Sequence, residues 1–253
     1  MTVMLEHLPF ETDAGVAARA RLGLIALASD YTVEYEYRLV LEHLPGAALY
    51  TARIANDPNV TPETLAAMEA GLAPMAATLL PGDRVDVVAY GCTSASMIIG
   101  PDRVTELIRT AKPDVPVVTP ITAAMAACTR FGAKRLGVLT PYTSDVNAGI
   151  RAFIEKSGFD VPVFGSFNEP SDPVVSMITP ASIRTAILRL IETADVDAVF
   201  VSCTSVRLVE QVAELEAELG LPVTSSNHAL IWQSLRKAGV ADALPGLGRL
   251  FQT

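Results

Sequence analysis

The chain has 253 residues, of which 50% are hydrophobic and 19% charged, enough apolar material for one large domain or two lobes of about 120 residues each. Its net charge of −9 argues against nucleic acid as a partner, because a phosphate backbone needs a basic face, but leaves small anions open, since local fields hold them. Three cysteines without CxxC spacing exclude a disulfide framework and a structural zinc site and fit a reducing, cytoplasmic setting.

In chain order, nearly continuous apolar runs predict strands over 21–28, 48–54, 85–91 and 115–120. A second set follows at 135–141, 161–167, 196–202 and 221–226. Helical stretches alternate with them, at 62–80, 100–111, 145–158, 178–194 and 206–220. In the last, Val206, Val209, Val212 and Leu215 recur at helical spacing, and the acids between them read as a solvated face. The N-terminus carries acids where a secretory signal would be basic, and no apolar run approaches the roughly 20 residues of a membrane span.

The two sets match in order. "RLG" opens both, at an offset of 114 residues. The third strand reads "VDVVAYGCTS" in one and "VDAVFVSCTS" in the other, offset by 111, and a "PV" strand comes fourth, offset by 106. This period predicts an α/β fold of two pseudo-symmetric lobes, each a small doubly wound parallel sheet flanked by helices. Residues 1–120 plus 227–253 are expected to form one lobe and 121–226 the other.

Ligands of open parallel sheets sit beyond the carboxyl ends of the strands. Both Cys-Thr-Ser segments lie at such ends, so facing lobes would bring Cys92 and Cys203 to one cleft. A lone cysteine after an apolar strand is ordinarily a small buried hydrophobe, and that reading is kept for Cys128. For the repeated pair, the residues that follow look like helix starts. Their N–H groups, with the hydroxyls of Thr93, Ser94, Thr204 and Ser205, can hold a carboxylate or enolate. The same helix ends are expected to lower the thiol pKa values. Two thiols on opposite faces of a flat intermediate suit racemisation or cis–trans isomerisation, and neither needs a metal or organic cofactor. Decarboxylation by one thiol and non-enzymatic binding of a small molecule are the alternatives. His7, His43 and His228 have no metal-ligand spacing; His228 is expected to be a structural hydrogen-bonder.

The paired cysteine strands, "LTPYTSDVNAGIRAF" and the terminal "PGLGRLF" resemble the maleate isomerase and arylmalonate decarboxylase group of the aspartate/glutamate racemase superfamily. The resemblance implies Cys92 as nucleophile, Cys203 as proton donor and Tyr142 as a hydrogen-bond partner of a substrate carboxylate. It matches Thr93 and Ser94 to a carboxylate pocket. The decarboxylases carry glycine where this chain has Cys92, so two thiols favour isomerase or racemase chemistry. The expected partner is a small carboxylate, and the expected assembly a homodimer.

Two positions depart from that pattern. Maleate isomerases read roughly "VPSSNTT" after the first strand, where this chain has "ALASDYT", placing Ser29 and Asp30 there. A second family asparagine falls at Asp172 of "EPSDPV". Ionised aspartate repels a carboxylate that asparagine would bind. These changes set beside maleate itself a second expected substrate, with a carboxylate at one end and an ammonium or amidinium at the other, as handled by the ectoine-utilisation protein A branch, which this sequence resembles around "GLIALASDYT". The competing expectation makes Asp30 a helix cap turned from the cleft.

Overall fold

The computed structural model describes residues 2–253. The first half runs β1 (Ala20–Leu27), α1 (Val33–Leu41), β2 (Ala47–Ile54), α2 (Pro62–Ala67), α3 (Leu72–Thr78), β3 (Val87–Gly91), α4 (Thr93–Ile99), α5 (Pro101–Ala111) and β4 (Val117–Val118). Helix α6 (Pro120–Arg130) leads into β5 (Arg135–Thr140), α7 (Ser144–Lys156), β6 (Asp160–Ser166), α8 (Asp172–Val175), α9 (Pro180–Thr193), β7 (Ala198–Val201), α10 (Val212–Leu219), β8 (Val223–Ser225) and α11 (Ser226–Lys237). All strand pairs are parallel, in the orders β2-β1-β3-β4 and β6-β5-β7-β8. The two sheets thus share one topology, as the repeat predicts.

Strands β3 and β7 are buried at every position, which explains their unbroken apolar sequences. The Val-Asp that opens each of the two matching third-strand segments works at the other end of the sheet. Asp86 Oδ2 accepts the Arg21 amide at 2.8 Å, and Asp197 Oδ2 accepts those of Lys134 and Arg135, both at 2.8 Å. Each aspartate therefore ties the start of its strand to the neighbouring β1 or β5. At the opposite end, Gly100 (φ 94°) turns the chain between α4 and α5, a conformation costly for other residues. Helix α11 packs on α1, β1, β3 and β4 of the first sheet and against α6.

Three expectations change. The stretch 62–80 is broken into α2, a 3-10 turn at Met68–Gly71 and α3; at Gly71 an added Cβ would lie 2.8 Å from the Ile54 side chain. The stretch 206–220 becomes α-helical only at Val212, after a 3-10 turn at Val209–Gln211, because the amides of Leu208 and Val209 are taken by the Glu36 carboxylate at 2.7 and 2.8 Å. Within α10, Glu216 is buried, not solvated, and accepts the amides of Val223 (3.0 Å) and Arg249 (2.7 Å). Among the described residues no helix is long and apolar enough to cross a membrane.

Candidate active site

The carboxyl ends of β3 and β7 carry Cys92 and Cys203. Cys92 is the N-cap of α4: its Sγ accepts the Ala95 amide at 3.4 Å and lies 3.8 Å from Ser94 Oγ. Cys203 is different. No helix follows it directly, contrary to the sequence expectation, and it holds φ at 97°, a strained value for a residue with a Cβ. Its amide donates to Ser226 Oγ at 3.0 Å, and Thr93 Oγ1 donates to the same oxygen at 2.7 Å. Thr204 Oγ1 in turn donates to the Gly91 carbonyl at 3.2 Å. The two Cys-Thr-Ser turns are therefore interlocked.

Cys92, Thr93 and Ser94 from one turn, Cys203 and Thr204 from the other, and Tyr142 after β5 line one enclosed cavity. A water-sized sphere finds about 20 Å³ of space in it, room for one water and not for a substrate. The mouth is latched. Asn59 and Ser171 form an antiparallel bridge, flanked by Val60 N–H to Pro170 O and Asp172 N–H to Pro58 O, each at 3.2 Å. A larger depression of about 480 Å³, lined by Asp83, Arg84, Lys112 and Asp114 among others, lies at the opposite end of the first sheet, with no thiol or hydroxyl in its lining.

Of three buried carboxyl groups in this region, Asp172 lines the cavity, while Asp30 and Glu36 lie outside its lining. Asp172 accepts Ser29 Oγ–H at 2.8 Å and Ser205 Oγ–H at 2.6 Å. Asn56 Nδ2 donates to Ser29 Oγ at 2.8 Å. Asp30 uses Oδ1 to accept the amides of Thr32 (2.7 Å) and Val33 (2.8 Å), capping the start of α1. Its Oδ2 is buried without a hydrogen-bond partner: the Thr204 hydroxyl, which favours the Asp30 anion, donates to the Gly91 carbonyl. Burial, with the Asp172 charge adding to it, pushes the Asp30 carboxyl up to about 6. Glu36 accepts Asn227 Nδ2 at 2.7 Å besides the Leu208 and Val209 amides, and burial raises it to about 7.

The thiols do not follow the expected direction. Burial pushes Cys92 up to about 12, outweighing the Ala95 amide and Ser94 hydroxyl that favour its thiolate, and the charges of Asp172 and Asp30 add to the rise. Cys203 is raised further by burial and then by Asp172. A seven-residue helix supplies one amide to Cys92 and cannot offset the loss of water around the sulfur. Cys128 is buried inside α6, away from the cavity lining, as expected of a core residue.

The structure gathers all ten sequence candidates around this cleft. Cys92, Cys203, Thr93, Ser94, Tyr142, Thr204 and Asp172 line the cavity; Ser29 and Ser205 bind Asp172; Asp30 stands behind Thr204. Asp30 caps α1 through Oδ1 and does not itself line the cavity. His228 is structural: its Nε2 donates to the Leu247 carbonyl at 2.7 Å, so Nδ1 is the acceptor of the Thr224 hydroxyl at 3.1 Å, and burial holds the ring neutral, down to about 4. Sequence reasoning missed Glu36, Asn56, Ser226 and Asn227. Glu36 had left a signal: with Val33, Tyr37 and Val40 it falls on the buried stripe of α1.

Residues 54–251 match the family described as arylmalonate decarboxylase. The maleate isomerase of Nocardia farcinica is 29% identical over 245 residues, covering 92% of this chain and 95% of that protein. The arylmalonate decarboxylase of Bordetella bronchiseptica is 31% identical over 139 residues, 54% of this chain and 58% of that one. Among solved structures, a Nocardia farcinica maleate cis-trans isomerase mutant with a covalently bound succinylcysteine intermediate superposes with a TM-score of 0.84 at 26% identity, covering 92% of this chain and 98% of the other.

Proposed function

The chain belongs to the arylmalonate decarboxylase family, and on that premise we propose that it is a cofactor-independent two-cysteine isomerase of a small carboxylic acid. The observation that carries the reading is the presence of both thiols, Cys92 and Cys203, in the lining of one cavity with Tyr142. Decarboxylation needs one thiol; a reaction that works on two faces of a flat intermediate needs two.

Cys92 is assigned as nucleophile or base, because its Sγ caps α4 and accepts the Ala95 amide at 3.4 Å. Cys203, held more firmly protonated, is assigned as proton donor. In cis–trans isomerisation, Cys92 first gives its proton to water and, as the thiolate, adds to one alkene carbon while the π pair moves onto the other, conjugated with the carboxylate. That carbon takes the Cys203 proton, the new single bond rotates, and reversal of both steps releases the isomer and restores the Cys92 thiolate and the Cys203 thiol. The succinylcysteine held by the Nocardia farcinica mutant is an adduct of this class. In racemisation, Cys92 removes the α-proton and Cys203 returns one to the other face. Ser94 and Tyr142 are assigned to the carboxylate, and Thr93, whose hydroxyl donates to Ser226, to holding the two turns together.

Asp30 and Asp172 favour a substrate carrying an amino or amidine group, of the kind met in ectoine breakdown, over maleate. The test is a panel of maleate, aspartate, substituted malonates and ectoine-derived amino acids, followed by product formation and by deuterium uptake at the α-carbon. Cys92→Ala should abolish turnover. Retention of a decarboxylase activity by Cys92→Ala, with Cys203 intact, overturns the isomerase assignment.

A further inference from the structure

The two Cys-Thr-Ser turns are equivalent in sequence and unequal in what their serines bind. Ser94 Oγ has no partner but the Cys92 sulfur at 3.8 Å. Ser205 Oγ, its counterpart, donates to Asp172 Oδ1 at 2.6 Å. Asp172 Oδ2 accepts the Ser29 hydroxyl at 2.8 Å, and Ser29 is itself fixed by Asn56, which donates from Nδ2 at 2.8 Å and accepts the Ser29 amide through Oδ1 at 3.1 Å. Thus one carboxylate, supplied by the chain, already sits on two hydroxyl donors at the cavity wall, 5% exposed.

We propose that Asp172 is a built-in ligand of the second hydroxyl pocket, so that the cleft accepts one substrate carboxylate, at the Ser94 side, and a hydrogen-bond-donating or cationic group facing Asp172. The inference rests on the isomerase reading for the site and deepens it by naming Asp172 as the residue that decides the substrate class. A second substrate carboxylate would have to displace Asp172 from Ser29 and Ser205 while lying beside it, with no cationic side chain in the cavity lining to offset the repulsion. An ammonium group meets the opposite situation: a carboxylate whose two oxygens have further lone pairs to offer, and the partnerless Oδ2 of Asp30 in the layer behind. The position also makes Asp172 part of the latch, since its own amide donates to Pro58 O at 3.2 Å across the mouth. A ligand satisfying Asp172 leaves that closure intact; one that expels it opens the mouth.

The test uses two unreactive probes of similar length, β-alanine and succinate, at physiological ionic strength. Protection of Cys92 and Cys203 from iodoacetamide and the ligand-induced rise in Tm are read for the wild type, Asp172→Asn and Asp172→Ser. The wild type should be protected by β-alanine at a concentration about tenfold or more below that needed for succinate. Asp172→Asn should reverse the order, with succinate gaining about tenfold or more. The wild-type ranking stands without either variant, and Asp172→Ser repeats the comparison if the first variant fails to fold. Succinate binding the wild type as well as β-alanine does, a ranking unchanged by the substitutions, or protection by neither probe each overturns the proposal. Because these readings are of binding, a switch in ranking without turnover on any substrate would strike the isomerase reading alone.

Discussion

Thr93 donates its hydroxyl proton to Ser226 Oγ at 2.7 Å, and the same oxygen accepts the amide of Cys203 at 3.0 Å. A single serine at the start of α11 thus sets the spacing between the turn that follows Cys92 and the strained residue on the facing turn. Ser226→Ala leaves two buried donors without their acceptor, which should cost about 2 kcal/mol or more in urea unfolding. Turnover should fall as well, and Ser226→Thr, which keeps the oxygen, should restore much of it. A loss of stability in Ser226→Ala with turnover per folded molecule unchanged would make the residue structural only.

The thiol environments predict a selective response to charge removal. The Asp172 charge follows burial among the causes of the rise at both Cys203 and Cys92, and is not among the causes at Cys128, where burial acts alone. Asp172→Asn should therefore speed alkylation at pH 8 at Cys203 and Cys92 and not at Cys128, because the thiolate is the reactive form. Peptide mapping by mass spectrometry gives the three rates. Equal acceleration at all three sites would mean general loosening.

Glu36 should make stability fall as pH rises. Its carboxyl is raised from 4.5 in the ordinary state to about 7 in the folded one, so the folded chain binds the proton more tightly. That contribution is complete below about 4.5 and lost as pH passes through about 7. Asp30 acts with the same sign between 3.8 and about 6, whereas His228, lowered to about 4, loses stability as pH falls below 6.5. Glu36→Gln removes the first effect. The variant's unfolding free energy relative to wild type should improve by roughly 2 kcal/mol between pH 5 and pH 8 in paired urea titrations. A pH-independent difference would mean that Glu36 stays ionised throughout.

Much of this arrangement was written locally in the chain, and some was not. The Cys-Thr-Ser repeat gave the two cysteines, their hydroxyls and the shared topology, because each lies within a few residues of an apolar strand whose pattern is unmistakable. The Val-Asp half of the same repeat carries no chemistry; it ties strand to strand through Asp86 and Asp197. Ser226 and Asn56 act only because distant segments meet them, 133 residues away at Thr93 and 27 away at Ser29. The thiol shifts are hidden for a similar reason: a helix end is local, but Cys92 is buried in a cavity it shares with the distant Tyr142, Asp172, Cys203 and Thr204.

The backbone contrast between the two cysteines gives a controlled prediction. Cys203 holds φ at 97°, where a Cβ is strained, while Cys92 is extended at φ −146°. At position 203, glycine relieves the strain and alanine does not, so Cys203→Gly should exceed Cys203→Ala in stability by about 1 kcal/mol or more. At position 92 the order should reverse, with Cys92→Ala the more stable by roughly 0.5–1 kcal/mol, because glycine there adds only freedom to the unfolded chain. Urea unfolding of the four variants checks both signs at once. The active-site reading adds that Cys203→Gly should be inactive however stable it is. A protein keeping a strained cysteine where glycine fits better retains it for its sulfur, and an active Cys203→Gly variant would remove that reason.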